Sequence, residues 1–433
     1  MSPPNTSADR PKRRWYQYSL RTLFVVVTLV AIGFGLIVAP AERQKHAVQT
    51  IRGAGGSVRY DEDRGDKEFI PAPEWLRKLL GEDYFKSVIE VELHNSQISD
   101  AELEHLKWLA KLNSLDLTGN QISDAGLEHL KGLTTLQVLA LDNTQISNAG
   151  LEHLKGLTQL QYLSLFWTQI NDAGLEHLKG LTALQTLVLQ GTQISDGGLA
   201  HLKGLTSLRE LHLNNTKIHD AGLEHLKGLA SLQELYIYNT RIGDSGLEHL
   251  KGLTALRELH LSNTKISGAG LEYLNALTAL ITLDLSDTQI SDAGLKHLKG
   301  LMTLQTLHLS YTLVGDAGLE HLKGLSSLRE LSLAKTQISD AGLEHLKGLA
   351  SLQVLDLAKT QISDAGLEHL KGLANLRELR LSNTKISDVG LEHLKNFTTL
   401  RMLFLSHTQI SDAGLAGLKA ALPNCIIDIN TWN

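Results

Sequence analysis

Three glutamates, Glu210, Glu234 and Glu258, stand 24 residues apart, and two positions beyond each comes a ring: His212, Tyr236 and His260. Carboxylates and imidazoles in such a pattern are the material of acid–base hydrolysis or of a metal site. If the three segments are neighbouring strands, the carboxylates fall about 5 Å apart between neighbours and about 9.6 Å across two strands, separations that suit an acid and base pair. His212 and His260 are then also about 9.6 Å apart, whereas zinc needs its nitrogen ligands about 2 Å from one ion. No metal is expected there. Glu330 and Glu378 fill the same column, so the carboxylates read as a solvated row of repeat positions. A second histidine series runs from His105 to His249 and from His297 to His393, with Tyr273 standing in once. On adjacent helices these rings lie about 8–10 Å apart, too far to share an ion, and read as flank packing. Motifs of the form GxxxxGK[ST], HExxH, GxSxG and GxGxxG are missing from the chain. The expectation is a protein without catalytic residues, metal or cofactor.

The elements that must position these residues follow from one repeated stretch. TQISDAGLEHLKGL stands unchanged at 336–349 and 360–373, and its variants recur every 24 residues from Ser96 to Leu418. A fixed period of this length with Leu at set offsets means stacked units, each touching only its neighbours. The apolar pairs run from Val91/Leu93 through Leu115/Leu117 to Ile427/Ile429 and predict 15 short strands. Alternation in each LxL puts the Leu pair on one face and the intervening residue on the other. Asp124, Asp172 and Asp340 precede Ala-Gly-Leu, where a carboxylate can cap the first turn of a helix. On that helix Leu127, Leu130 and Leu133 share a face with Gly126, which lets the helix lie close to the strands. His129 and Lys131 fall on its flanks.

Outside the period, Lys12, Arg13, Arg14 and Arg21 precede an uncharged run to Ala41. Residues 23–39 span roughly 25 Å as a helix, the short end of a bilayer core, with Trp15, Tyr16 and Tyr18 at the interface. The basic flank puts residues 1–22 in the cytoplasm and the repeats outside. A cleaved signal ending at Ala39-Pro40-Ala41 and a buried core helix are the alternatives. Residues 40–90 read as an N-terminal cap and linker: Ala47, Val48 and Ile51 share a helical face, Val58 to Tyr60 is extended, and a second helix covers Glu74 to Leu80. Arg64-Gly65-Asp66 lies there in a charged run and reads as a solvated loop. The repeats occupy 91–419, and 420–433 forms the C-terminal cap, in which Cys425 is a small packed residue.

The formal charge of −6, from 41 basic and 47 acidic residues, offers no basic stripe for nucleic acid. A single cysteine excludes an internal disulfide.

The pattern LxxLxLxxTxI with its 24-residue period resembles leucine-rich repeat proteins over residues 91–430. The resemblance implies an α/β solenoid, a horseshoe with a parallel β-sheet on the concave face and helices on the convex face. In that family a polar residue at the position of Thr144, usually Asn, bonds the backbone of neighbouring turns as a ladder. Asn120 keeps Asn, and Thr144 to Thr408 supply Thr in 12 successive repeats, so the ladder is expected to survive with a shorter side chain. DAGL repeats with Thr look most like bacterial members, many of them membrane-anchored. F-box partners of ubiquitin ligases carry similar repeats, but no F-box segment precedes the array.

Variation between repeats concentrates on the concave face, where a column reads Val188, His212, Tyr236, His260, Asp284, His308. Glu210, Glu234 and Glu258 run beside it, with Tyr238 and, three repeats earlier, Phe166 and Trp167 on the other side. Exposed strand aromatics are typical interface anchors. The expected function is non-enzymatic: a membrane-anchored protein whose extracytoplasmic concave face binds a protein or peptide, centred on Phe166, Trp167, His212, Tyr236, Tyr238, His260 and Tyr311. A hydrolase of cell-surface polymer acting through the Glu column and a purely structural spacer are the alternatives.

Overall fold

The computed structural model describes residues 20–61, 78 and 84–429. Its centre is one sheet of 16 strands in sequence order. Strand β1 (Ser57–Tyr60) pairs antiparallel with β2 (Val88–Glu92). From β2 onward all pairing is parallel, through β3 (Ser114–Asp116) to β16 (Ile426–Asp428). The middle of the array includes β7 (Glu210–His212), β8 (Glu234–Tyr236), β9 (Glu258–His260) and β10 (Thr282–Asp284). Partners stand 24 residues apart without slip, so Glu210, Glu234 and Glu258 face one another, as do His212, Tyr236 and His260.

The register is held by the Leu pairs. Leu211, Leu213, Leu235, Leu259 and Leu261, like their equivalents along the array, are fully buried and form one continuous core with the helix-layer leucines. A one-residue slip would turn every one of them to water. The return path is tighter than the helical wheel suggested: four residues such as Asn148–Leu151 are α-helical, and the next three, Glu152–Leu154, are 3₁₀. A 24-residue unit leaves few residues to recross the molecule, and a 3₁₀ turn covers about 2.0 Å per residue against 1.5 Å in an α-helix.

Two sequence expectations are corrected here. The Thr hydroxyls bond inside their own repeat, Thr144 Oγ1 to Leu141 O at 2.6 Å and Thr240 Oγ1 to Ile237 O at 2.6 Å. The longer Asn120 side chain does span two repeats, donating to Leu93 O (2.7 Å) and Leu117 O (2.9 Å) and accepting from the Ser96 hydroxyl (3.0 Å). The cross-repeat ladder is instead built by the aspartates expected to cap helices. Asp124 Oδ1 accepts the Ser147 N–H at 2.7 Å and its Oδ2 accepts the Ser147 hydroxyl at 2.6 Å. Where a side chain caps the helix it is the residue before the aspartate or asparagine, as Ser123 accepts from Ala125 N–H at 3.3 Å and Asn171 from Ala173 N–H at 3.1 Å. Glycine serves this ladder, since a Cβ on Gly318 would lie 2.6 Å from Asp292 Oδ1.

At the start of the array a single 34-residue helix, α1 (Leu20–Gly53), runs through Pro40 and joins the apolar run to the cap. Its last turns bury Ala47, Val48 and Ile51 in the core, and Gln44 Nε2 donates to Lys86 O at 2.7 Å. The expected membrane span, 23–39, lies inside α1. Among the described residues no helix is long and apolar enough to cross a membrane; six side chains of that span, at 30, 33, 34 and 36–38, lie outside them. The tripeptide at 64–66 and all of the helix expected over 74–80 except residue 78 lie outside the described residues as well. At the other end the helix Asp412–Ala421 leads through Pro423 into β16, and half-buried Cys425 packs on the core.

Candidate binding face

On β7, β8 and β9 the residues between the buried leucines form a continuous stack. His212 and Tyr236 rings lie 4.2 Å apart and 8° from parallel, Tyr236 and His260 4.5 Å and 14°. Strand spacing sets this arrangement, since about 4.8 Å between strands is close to ring-stacking distance. The Glu row braces the stack: His212 Nε2 meets Glu210 Oε1 at 2.7 Å, and the Tyr236 hydroxyl donates to Glu234 Oε2 (3.0 Å) and Glu258 Oε2 (3.2 Å). Thr186 Oγ1 donates to Glu210 Oε2 at 3.0 Å. The two columns that looked separate in sequence are therefore one hydrogen-bonded plate.

Burial shapes its titration. The Tyr236 phenol is pushed far above its usual range by desolvation and by the Glu234 and Glu258 charges. His260 is driven down by desolvation, which outweighs the Asp284 and Glu258 carboxylates. His260 Nε2 is buried without a hydrogen bond, as are both amide atoms of Asn214, two residues beyond His212. His308 stands apart from the stack, bonded to Glu330 Oε1 at 3.1 Å.

The remaining candidates lie on the turn ridge that borders the plate. Trp167 and Tyr311 occupy the one position per repeat with positive φ, at 52° and 58°, and are 60% and 47% exposed. Other repeats mostly place Asn, Gly, Asp or Lys there, residues that tolerate or commonly adopt this conformation more readily than a bulky ring. Trp167 lies across Gly191 of the next repeat, where a Cβ would come 2.8 Å from the indole, and meets Phe166 edge-on at 6.1 Å. Lys335 sits 4.6 Å over the Tyr311 ring. Tyr238 is half-buried beside the plate, and Phe166 is half-buried two repeats before it. The structure thus brings together His212, Tyr236, His260 and the three glutamates, pairs Phe166 with Trp167, and leaves Tyr311 two repeats beyond the plate.

Sequence reasoning missed Asp142, whose carboxylate accepts the Ser164 hydroxyl and the Phe166 N–H (2.9 Å), fixing the backbone at Phe166. Burial raises its pKa against the lowering effect of the Ser164 bond. The signal available was weak, since both positions lie in columns that vary from repeat to repeat. It also missed the side-chain ladder of Asn215, Asn239 and Asn263 along the ridge, Asn263 Nδ2 donating to Asn239 Oδ1 at 2.8 Å. Among the described residues no group of three or more His, Cys, Asp or Glu could hold a metal ion.

A family model for a leucine-rich repeat region matches residues 111–269, and two leucine-rich repeat models match 277–299 and, in two overlapping stretches, 302–362 and 350–410. An internalin, inlF, from Listeria monocytogenes is 24% identical with a TM-score of 0.55, over 83% of this chain and 94% of that one. A leucine-rich repeat protein of Leptospira interrogans is 20% identical with a TM-score of 0.57, over 75% and 92%. The ectodomain of the Arabidopsis thaliana membrane receptor kinase GASSHO1/SCHENGEN3, in complex with Casparian strip integrity factor 2, is 17% identical with a TM-score of 0.51, over 79% and 50%. These likenesses concern the fold. No curated protein matches the chain.

Proposed function

Because the chain is a leucine-rich repeat protein, we propose that it binds a protein or peptide partner across its concave sheet and the adjoining turn ridge, without chemistry. The observation that carries this reading is the placement of Trp167 and Tyr311. Each is a large ring held at positive φ and left about half exposed, a conformation that costs about 1 kcal/mol or more for a bulky residue. Nothing in the frame of the repeat requires a ring there, since Asn serves the same turn in six other repeats. Exposed aromatics on a rigid support are the usual anchors of an interface. The His212–Tyr236–His260 plate supplies a stiff floor beside them, its rings already stacked and its hydroxyl already bonded, so little side-chain entropy is lost on binding. The plant receptor ectodomain of similar fold is one held in complex with a partner, which agrees with a binding role.

We further propose that residues 23–39 anchor the chain in a bilayer, with 1–22 cytoplasmic and the repeats on the opposite side. Leu23, Phe24, Val25, Val26, Val27, Leu29 and Ile32 are each at least 50% exposed on α1, a cost in water that lipid removes. The test of the binding reading is a photo-crosslinker placed at Trp167 or Tyr311 in cells. A partner captured at both sites, with capture from position 311 lost when Trp167→Ala and Tyr236→Ala are combined, supports it; capture from position 311 unchanged by that pair of substitutions would refute it.

A further inference from the structure

The carboxylates at the centre of the concave sheet carry charge that no cation of the chain neutralises. Glu210, Glu234 and Glu258 accept from Thr186, His212 and Tyr236, donors without a permanent charge. The Tyr236 hydroxyl has one proton for its two carboxylates, so Glu234 and Glu258 share it. Arg209 and Arg257, just before β7 and β9, form no ion pair with the row. The wider face has the same bias. Among the described residues from β2 to β16, Arg380 is the only Lys or Arg at an outward strand position, and it is engaged by Glu378 at 2.6 Å and Asp356 at 3.6 Å. On the convex side charges are matched in place, as in Lys155 with Glu152 and Lys179 with Glu176, each at 3.6 Å.

An independent observation lies on the same strand face as Glu210 and His212. Asn214 is fully buried, and neither its amide oxygen nor its amide nitrogen has a hydrogen-bond partner. Two buried polar atoms left unpaired cost about 1–3 kcal/mol each. The neighbours of Asn214 in its column are Gln190 and Tyr238, long side chains where the following repeats carry Ser262 and Ser286. Those serines are part-exposed although smaller, so the long neighbours are what close over Asn214. No hydrogen bond holds the side chain of either neighbour, which leaves both free to turn aside. A carboxamide with one donor side and one acceptor side is the complement of a peptide bond.

We propose that the partner of the concave face presents an extended basic segment, its Lys or Arg side chains on the Glu210–Glu234–Glu258 row and its backbone on the Asn214 amide. This rests on the concave face being a binding surface and names the chemistry that it selects. An ammonium or guanidinium set between Glu234 and Glu258 supplies the donors that one phenol cannot, and charge-assisted bonds are the stronger kind. The spacing fits: side chains on one face of an extended chain recur about every 7 Å, and the three glutamates span about 9.6 Å, so two cations reach all three. Acidic partners are rejected by the same row, since like charges brought together in a partly buried site repel.

The test titrates a capped decapeptide of alternating Gly and Lys into the full chain, beside Gly-Glu and Gly-Ser decapeptides and spermine, a polycation without amide bonds. The Gly-Lys peptide should bind saturably and shift the side-chain amide resonances of Asn214, the Glu and Ser peptides should do neither, and spermine should leave Asn214 unmoved. Glu234→Gln combined with Glu258→Gln keeps an oxygen for the Tyr236 hydroxyl and removes the charge. That pair should weaken the Gly-Lys peptide at least about tenfold. Should it fail to fold, Glu234→Gln alone must weaken the peptide at least about threefold. No saturable binding of the Gly-Lys peptide, affinity untouched by the Gln substitutions, or spermine bound as tightly while Asn214 ignores the peptide would overturn the proposal. Crosslinking in cells separates it from the binding reading. Capture from position 311 that survives the Gln pair but is lost with Trp167→Ala and Tyr236→Ala would reject a basic partner and leave the binding face standing; no capture by the unaltered face would reject both.

Discussion

His260 shows how one residue of the plate couples burial to pH. Its pKa lies below the ordinary histidine value because desolvation outweighs the attraction of Asp284 and Glu258. Folding therefore disfavours the protonated ring. The sign is that of a depressed group: its contribution is fully present above the unfolded value, near pH 6.5, and is lost as pH falls toward the lower folded value. Denaturation between pH 7 and pH 5 should show stability falling, and His260→Gln should flatten that slope at the acid end. An equal slope in the variant would put the acid sensitivity elsewhere. Tyr236 has the opposite sign: its raised pKa makes its contribution constant until about pH 10 and lost only above it. Trp167 makes a separate prediction. Asn at a positive-φ turn relieves strain, so Trp167→Asn should leave thermal stability unchanged or raise it by up to about 1 kcal/mol while lowering partner capture. A variant that lost stability and kept capture would make the ring a structural clamp over Gly191.

At the scale of the element, the unit of cohesion is the Asp–Ser rung together with the glycine that makes room for it. Asp340 accepts the Ser363 N–H at 2.8 Å and the Ser363 hydroxyl as well. Asp340→Ala leaves both donors without their acceptor, which should cost about 1–3 kcal/mol and speed exchange of the Ser363 amide. Gly342→Ala should cost a similar amount, because its Cβ would run into Asp316. If both substitutions left the melting curve unchanged, the ladder would be ornament on a core held by leucine alone. These elements also show what the sequence could convey. Period, strand positions and the buried leucines were legible because each recurs at a fixed offset, and a repeated apolar position has only one place to go. The role of Asp was misread because helix capping is a local reading within a few residues, whereas its bonds go to a residue 23 positions on. The Thr ladder was misread for a geometric reason: Thr ends one bond from Cβ and cannot cross to the neighbouring turn. Which concave residues would meet was legible, since register follows from the period. That the rings would stack and draw the glutamates into hydrogen bonds was not, because rotamers are set by neighbours in space.

At the scale of the whole molecule, α1 makes the solenoid an extension of its proposed anchor. The helix does not stop where the apolar run ends: it continues through Pro40, and its far end is built into the core by Ala47, Val48 and Ile51. Arg43 lies 4.2 Å over the Trp108 ring, tying the same helix to the first repeats. Proline inside a helix removes one backbone bond and bends the axis, so residue 40 is where the two halves can flex. The first repeats would stand close to the bilayer surface at a restricted tilt, which fixes the direction in which the concave face opens. Inserting Gly-Gly-Ser-Gly after Ala41 breaks this coupling without touching the apolar run or the buried turns of α1. The chain should still partition into membranes and melt at the same temperature, while distances from a probe on Cys425 to the bilayer, measured by energy transfer to a lipid dye, should broaden from a narrow distribution to a wide one. A distribution equally wide in both proteins would mean that Pro40 already acts as a free joint. A chain recovered in the soluble fraction, with the 23–39 segment intact, would remove the anchor itself and with it any preferred direction for the binding face.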